Sequence, residues 1–172
     1  MIKLIFPIYY TQEFKTKASK TFLVGLNWYR NAHHMLSNKV KAHYHDLVKN
    51  QIGKNKFDKV TITYHVYAGR NGTDGHNIRA VMEKFICDGL VECGALKDDS
   101  IEFLKGDESV YFIDKENPRI EVLIEDYERL KFIDTQIMEA TEMWNIKAKK
   151  EKRKYIRKNK KLNHPVNQID KK

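Results

Sequence analysis

The sequence holds only two cysteines, Cys87 and Cys93, and that scarcity excludes a disulfide framework and leaves a zinc site without its second pair. It has no long apolar run, and a mean hydropathy of -0.65 excludes a membrane-spanning helix. The short apolar start Met1-Ile2-Lys3-Leu4-Ile5-Phe6 is broken by Pro7 and lacks a small-residue cleavage site, so it does not read as a secretory signal. The expectation is a cytoplasmic protein with reduced thiols and no membrane partner. No internal repeat is visible. What is present is a 41% hydrophobic content over 172 residues, enough for the core of one domain with an appendage.

Charge is distributed unevenly. The chain carries 32 Lys+Arg against 23 Asp+Glu, a net charge of +9. Residues 147-161 hold ten of the basic residues and one acid, Glu151, while residues 1-146 are close to neutral. The block includes Lys147, Lys149, Lys150, Lys152, Arg153, Lys154, Arg157 and Lys158. Such a run attracts polyanions and releases counterions from a phosphate backbone, giving affinity without sequence choice. The same block also reads as a solvated tail that aids solubility.

Alternating Ile2, Leu4, Phe6 and Ile8 predict a strand over 2-10, with Pro7 marking an edge or a bulge, and residues 11-21 read as a polar loop. Met35, Val40, Tyr44, Leu47 and Val48 predict a helix over 32-51 that ends before Gly53. Residues 59-68 alternate Val60, Ile62, Tyr64 and Val66 with Thr61, Thr63, His65 and Tyr67, the clearest strand pattern in the chain. A helix over 76-93 buries Ile78, Val81, Met82, Phe85, Ile86 and Leu90, with Gly94 as its stop. Ser109-Ile113 and Arg119-Glu125 read as a hairpin around Asp114-Lys-Glu-Asn-Pro118. From Tyr127 a helical pattern through Leu130, Ile133, Ile137, Met138, Met143 and Trp144 grades into the basic block, and no Gly or Pro interrupts it before Pro165. The fold class is therefore α/β, a mixed β-sheet with helices packed on it in the order βαβα-ββ-α, followed by a basic C-terminal helical tail.

The candidate chemistry gathers around the 76-93 helix. Asn77, Lys84 and Asp88 are spaced to share one helical stripe, and Asp74 and Asp99 flank the element. If the loop after the 59-68 strand and the loop after Gly94 meet at one end of the sheet, Asp74 and Asp99 converge. Two such carboxylates bind a hard divalent cation, which neutralises phosphate charge and activates water, and a nearby lysine stabilises the developing charge. Each residue also has a purely structural reading. Asp74 can be a helix cap, Lys84 and Asp88 a surface ion pair, and Asp98-Asp99-Ser100 a polar turn. His76 can be a ligand or a hydrogen-bonded surface group; His33-His34 and His43-x-His45 lack a tetrahedral pattern and are assigned no metal. Leu26-Asn-Trp-Tyr-Arg30 mixes aromatic and basic groups suited to nucleic acid, although Trp28 and Tyr29 also suit core packing.

The segments Asp74-Gly-His-Asn77, Glu83-Lys84-Phe-Ile-Cys-Asp88-Gly-Leu90 and Gly94-Ala-Leu-Lys-Asp98-Asp99-Ser100 together resemble RusA-type Holliday junction endonucleases, phage-borne variants above all. The likeness covers about residues 1-126, a nuclease domain, and leaves out a helix over 127-161 grading into the basic tail and a disordered end over 162-172. It implies a metal-dependent endodeoxyribonuclease acting on branched DNA such as a four-way junction, in recombination, repair or replication. It further implies a homodimer whose two-fold symmetry suits that substrate, in a bacterial cell or a phage-infected host. Carried over, Asp74 and Asp99 bind the cation with Asp98 beside them, and His76 stands where the family usually has a second aspartate. Imidazole suits softer ions, which leaves both magnesium and manganese open. The family's lysine falls at Ala80 when aligned from Asn77 and at Lys84 when aligned from Asp88; Lys84 is preferred, with Asn77 and Asp88 supporting. Arg30, Arg70 and the basic block would contact DNA. The alternative is a non-catalytic module for branched or single-stranded DNA on the same fold, with His76 marking a lost metal site.

Overall fold

Strand β4 (Val60–Ala68) organises the sheet, because its alternation matches burial residue by residue. Val60, Ile62, Tyr64 and Val66 are at most 1% exposed, while Thr61, Thr63, His65 and Tyr67 lie half-buried on the other face. In the computed structural model, which describes residues 1–162 and side chains to 154, β4 is interior to a four-stranded sheet. Its neighbours are β1 (Ile2–Pro7), β5 (Leu104–Ile113) and β6 (Arg119–Asp126), in the order β1-β6-β4-β5. β6 runs antiparallel to both β1 and β4, whereas β5 runs parallel to β4. The sheet is mixed and helices pack on it, so the chain is α/β. Among the described residues no helix is long and apolar enough to cross a membrane.

The expected 109–125 hairpin is not formed. β5 and β6 flank β4 on opposite sides, and Asp114–Pro118 bridges over its end, with the Asp114 amide donating to the Ala68 carbonyl at 2.8 Å. Two strand spacings amount to about 10 Å, and five extended residues reach roughly 16 Å, so a hairpin-length connection suffices to straddle a strand. The turn itself has the expected chemistry. Asp114 Oδ1 accepts from the Glu116 and Asn117 amides, and Arg119 donates to Asp114 Oδ2 at 2.7 Å. Inserting β4 between the two strands places its apolar face at the middle of the buried surface.

The N-terminal strand is also shorter than the alternation predicts. β1 ends at Pro7 on the sheet edge, and β2 (Tyr9–Gln12) pairs instead with β3 (Lys20–Leu23), a small hairpin that straddles both ends of the segment 11–21 expected to be a polar loop. Thr11 and Thr21 share a 2.8 Å hydroxyl bond across it, and the Tyr10 and Phe22 rings pack at 5.6 Å. Strands of only four residues span too few alternations for their periodicity to be seen in sequence.

Short helix α1 (Leu26–Asn31) leads to α2 (His34–Ile52), and α3 (Gly75–Glu92) follows β4. α2 and α3 bury the expected residues against one face of the sheet, except Leu47, which is half-buried, and Met35, which is exposed near the start of α2. They approach closely at Gly89: a β-carbon there would stand 3.2 Å from the Val48 side chain. Gly94, at φ +71°, ends the α3 turn in the left-handed region that favours glycine. Helix α4 (Tyr127–Leu162) begins where Asp126 Oδ1 accepts from the amides of Glu128 and Arg129.

The chain divides into two units, Met1–Arg129 and Leu130–Lys172. In the second, Ile133, Ile137 and Trp144 are exposed on the helix, as are the basic side chains from Lys147 to Lys154. Arg157 and Lys158 fall beyond the described side chains. Leu162 is helical, and the rest of the 162–172 end lies outside the described residues.

Candidate functional site

Helix α3 connects two parallel strands, β4 and β5, and must therefore run back along the sheet. The loop before it and the loop after it consequently lie at opposite ends. Asp74 occupies the N-cap, whereas Asp99 follows the C-cap Cys93 and borders a shallow hollow with Asp88, Val91 and Glu92. The 18 residues between the caps span about 27 Å at 1.5 Å each. The expected convergence of Asp74 and Asp99 therefore does not occur within one chain.

At the N-terminal end, Asp74 is exposed and both its oxygens are engaged. Oδ1 accepts from the Asn77 amide at 3.1 Å and Oδ2 from Asn77 Nδ2 at 2.6 Å. The cap reading is thus realised, and Asn77 serves to hold the carboxylate. His76 Nδ1 pairs with the Tyr111 hydroxyl at 2.9 Å, joining α3 to β5. Tyr111 also explains Gly75, since a β-carbon there would overlap its ring.

Along the helix, Lys84 is 53% exposed and pairs with Asp88 at 3.5 Å; Asp88 also holds Lys41 of α2 at 2.7 Å. Burial works to raise the Asp88 pKa, but the Lys41 and Lys84 ammoniums outweigh it and hold the carboxyl below its ordinary value. The surface ion pair is therefore present, and Lys84 is one turn or more from either flanking acid. At the far end, Asp98 Oδ1 accepts the Asp99 amide at 2.9 Å in an exposed turn. Neither Asp98 nor Asp99 has an ion-pair partner among the described residues. Cys87 is buried beneath this region, and desolvation pushes its thiol up to about 11, so it is no nucleophile at neutral pH.

Among the described residues no three His, Cys, Asp or Glu side chains are arranged to hold a metal ion. One chain offers Asp74 with His76 at one end of α3 and Asp98 with Asp99 at the other, and these do not fit a shared cation.

Several groups have no clear signature in the sequence. Arg79 bridges Glu83 and Asp107 of β5; only the i,i+4 half of that pair is visible in the spacing. His45, assigned no metal, is buried against α3 with Nδ1 on Glu92, while its Nε2 has no partner. Arg30 and Arg70 are exposed and free of ion pairs among the described residues, and Arg70 stands at a groove that also includes Trp28 and Asp74. No protein-family model matches the chain, and no curated protein matches it.

Proposed function

We propose that the chain is a homodimeric, metal-dependent, structure-selective endodeoxyribonuclease for branched DNA, similar to RusA-type junction endonucleases, whose acidic sites are each assembled from two chains. The observation that carries this reading is the pair of exposed acidic groups, Asp74 and Asp98-Asp99, at opposite ends of α3. Strand β5 supplies the edge for such pairing. It is the last strand of the sheet and exposes four consecutive apolar residues, Val110, Tyr111, Phe112 and Ile113. A two-fold axis across this edge runs the two α3 helices antiparallel, bringing Asp74 of each chain toward the opposite chain's Asp99. A magnesium or manganese ion held between these carboxylates would supply charge neutralisation at the phosphate. Lys84, on the exposed ridge between the ends, is available to the substrate phosphate.

One observation favours the second reading, a non-catalytic module for branched DNA. Both Asp74 oxygens are satisfied by Asn77, and His76 is tied to Tyr111 where the family usually has an aspartate. Cleavage of a labelled four-way junction beside its linear duplex, in magnesium, manganese or EDTA, separates the two. The nuclease gives metal-dependent nicks on the junction alone. Asp74→Asn, which still caps the helix, lowers the rate by about 10²-fold or more with binding retained. Tight junction binding without nicks in either metal selects the binding module.

The basic helix supports the DNA side of both readings. Deleting residues 147–172 is expected to weaken junction binding and to flatten its salt dependence, the slope of log K against log salt falling by about 0.9 for each phosphate that the tail had neutralised. Filter binding at several salt concentrations measures this, and an unchanged slope removes the tail from the interface.

A further inference from the structure

Between the end of β3, the start of α1 and the first turn of α3 lies a groove of about 300 Å³. Its base is apolar, with Leu23 and Ile78, and Trp28 forms part of its wall. Trp28 is stacked on Phe22 at 4.9 Å and 15°, and Phe22 packs in turn on Tyr10 at 5.6 Å. The indole is thus backed by a series of rings and presents a surface that loses little freedom on binding. Asn27 adds an amide with no side-chain partner among the described residues, and Asn77 adds a carbonyl oxygen, since its Nδ2 is committed to Asp74. Arg70 brings a guanidinium without an acidic partner among the described residues, while the carboxylate of Asp74 is taken up by the cap.

We infer that this groove binds one unstacked nucleotide of a DNA strand, its base against Trp28 and its phosphate on Arg70. The volume is at the lower limit for small-ligand sites, which suits a single base rather than a large cofactor. An aromatic plane, amide groups that read base edges and a lone guanidinium are the parts that single-strand recognition uses. A branch point supplies such a base, because strands exchange partners there and stacking is interrupted. The inference rests on the chain acting on DNA, and it places a base reader beside Asp74.

The test does not depend on cleavage. The sequence has two tryptophans, Trp28 and Trp144, so Trp144→Phe in the full chain leaves Trp28 as the only indole reporter. A short oligothymidylate is titrated in EDTA at high salt, where the exposed basic helix is screened. Trp28 emission is expected to be quenched on saturation. In otherwise wild-type protein, Trp28→Ala weakens binding roughly 5- to 150-fold and Trp28→Phe largely restores it. Arg70→Gln lowers the salt slope by about 0.7, the counterion release of one single-strand phosphate. Unchanged Trp28 emission at saturation, or equal binding by wild type, Trp28→Ala and Arg70→Gln, overturns the groove assignment, even if junctions are nicked. Quenching with these losses upholds it even if no nick is ever seen, so failure of the nuclease reading is distinguishable from failure of this one.

Discussion

Chains carrying Asp74→Asn and chains carrying Asp99→Asn, each reduced by about 10²-fold or more alone, are expected to recover nicking of a junction once they are mixed and allowed to reassociate. The reason is positional. The two carboxylates stand at opposite ends of an 18-residue helix, so each proposed site draws one from either chain. A mixed dimer then contains one site with both acids and one with neither. Random reassortment makes half of the dimers mixed, and each carries one intact site of two, so about a quarter of the wild-type site concentration returns. Against parents reduced by about 10²-fold, that recovery is large. The product also changes in kind, because a dimer with one working site cuts one strand and cannot make paired nicks. Co-expression of differently tagged chains, purification of the mixed species and strand mapping on a labelled junction measure it. No recovery in the mixed dimer, or full activity in Asp99→Asn alone, would sink the shared-site arrangement.

The second large effect is structural. Phe85 is fully buried on α3 and meets Tyr29 of α1 at 5.7 Å and Tyr44 of α2 at 5.9 Å. Tyr44 in turn donates its hydroxyl to the Pro7 carbonyl at 2.7 Å, fastening α2 to the end of β1. Phe85→Ala removes the ring on which three helices meet. It is expected to cost about 3–5 kcal/mol, a fall in Tm on the order of 10–20 °C for a unit of this size. Lys84→Ala, one residue away on the exposed side, is expected to cost less than about 1 kcal/mol, since a half-exposed ion pair is screened by water. Thermal denaturation followed by circular dichroism compares the two, and similar shifts would contradict this account of the core.

Local patterns are legible in the sequence and pairings across the chain are not. The α3 core residues, the Asp74 cap, the Gly94 stop and the Lys84–Asp88 pair all depend on neighbours within about four residues, which spacing records directly. Alternation likewise identifies β4, although it carries no information about which strands lie beside it. The 109–125 hairpin fails for that reason, since a good turn sequence is compatible with both a tight hairpin and a bridge over a third strand. The convergence of Asp74 and Asp99 fails by the same route. It requires two loops at one end of the sheet, and the parallel pairing of β4 with β5 sends them to opposite ends. The Trp28 groove lies beyond reach because Arg70 and Trp28 meet only through tertiary packing.

The sheet order has a further consequence during synthesis. β1 has β6 as its one neighbour in the four-stranded sheet, so it must wait until the last strand of that sheet is made. At ribosomal rates of about 5–20 residues per second, the interval from Pro7 to Asp126 lasts roughly 6–24 s. Throughout it, Leu4 and Phe6, fully buried in the finished domain, remain without their partners Val122 and Ile120. Nascent chains stalled before β6 therefore display β1 as an unpaired apolar strand, the segment on which a holding chaperone would act and from which truncated products would aggregate.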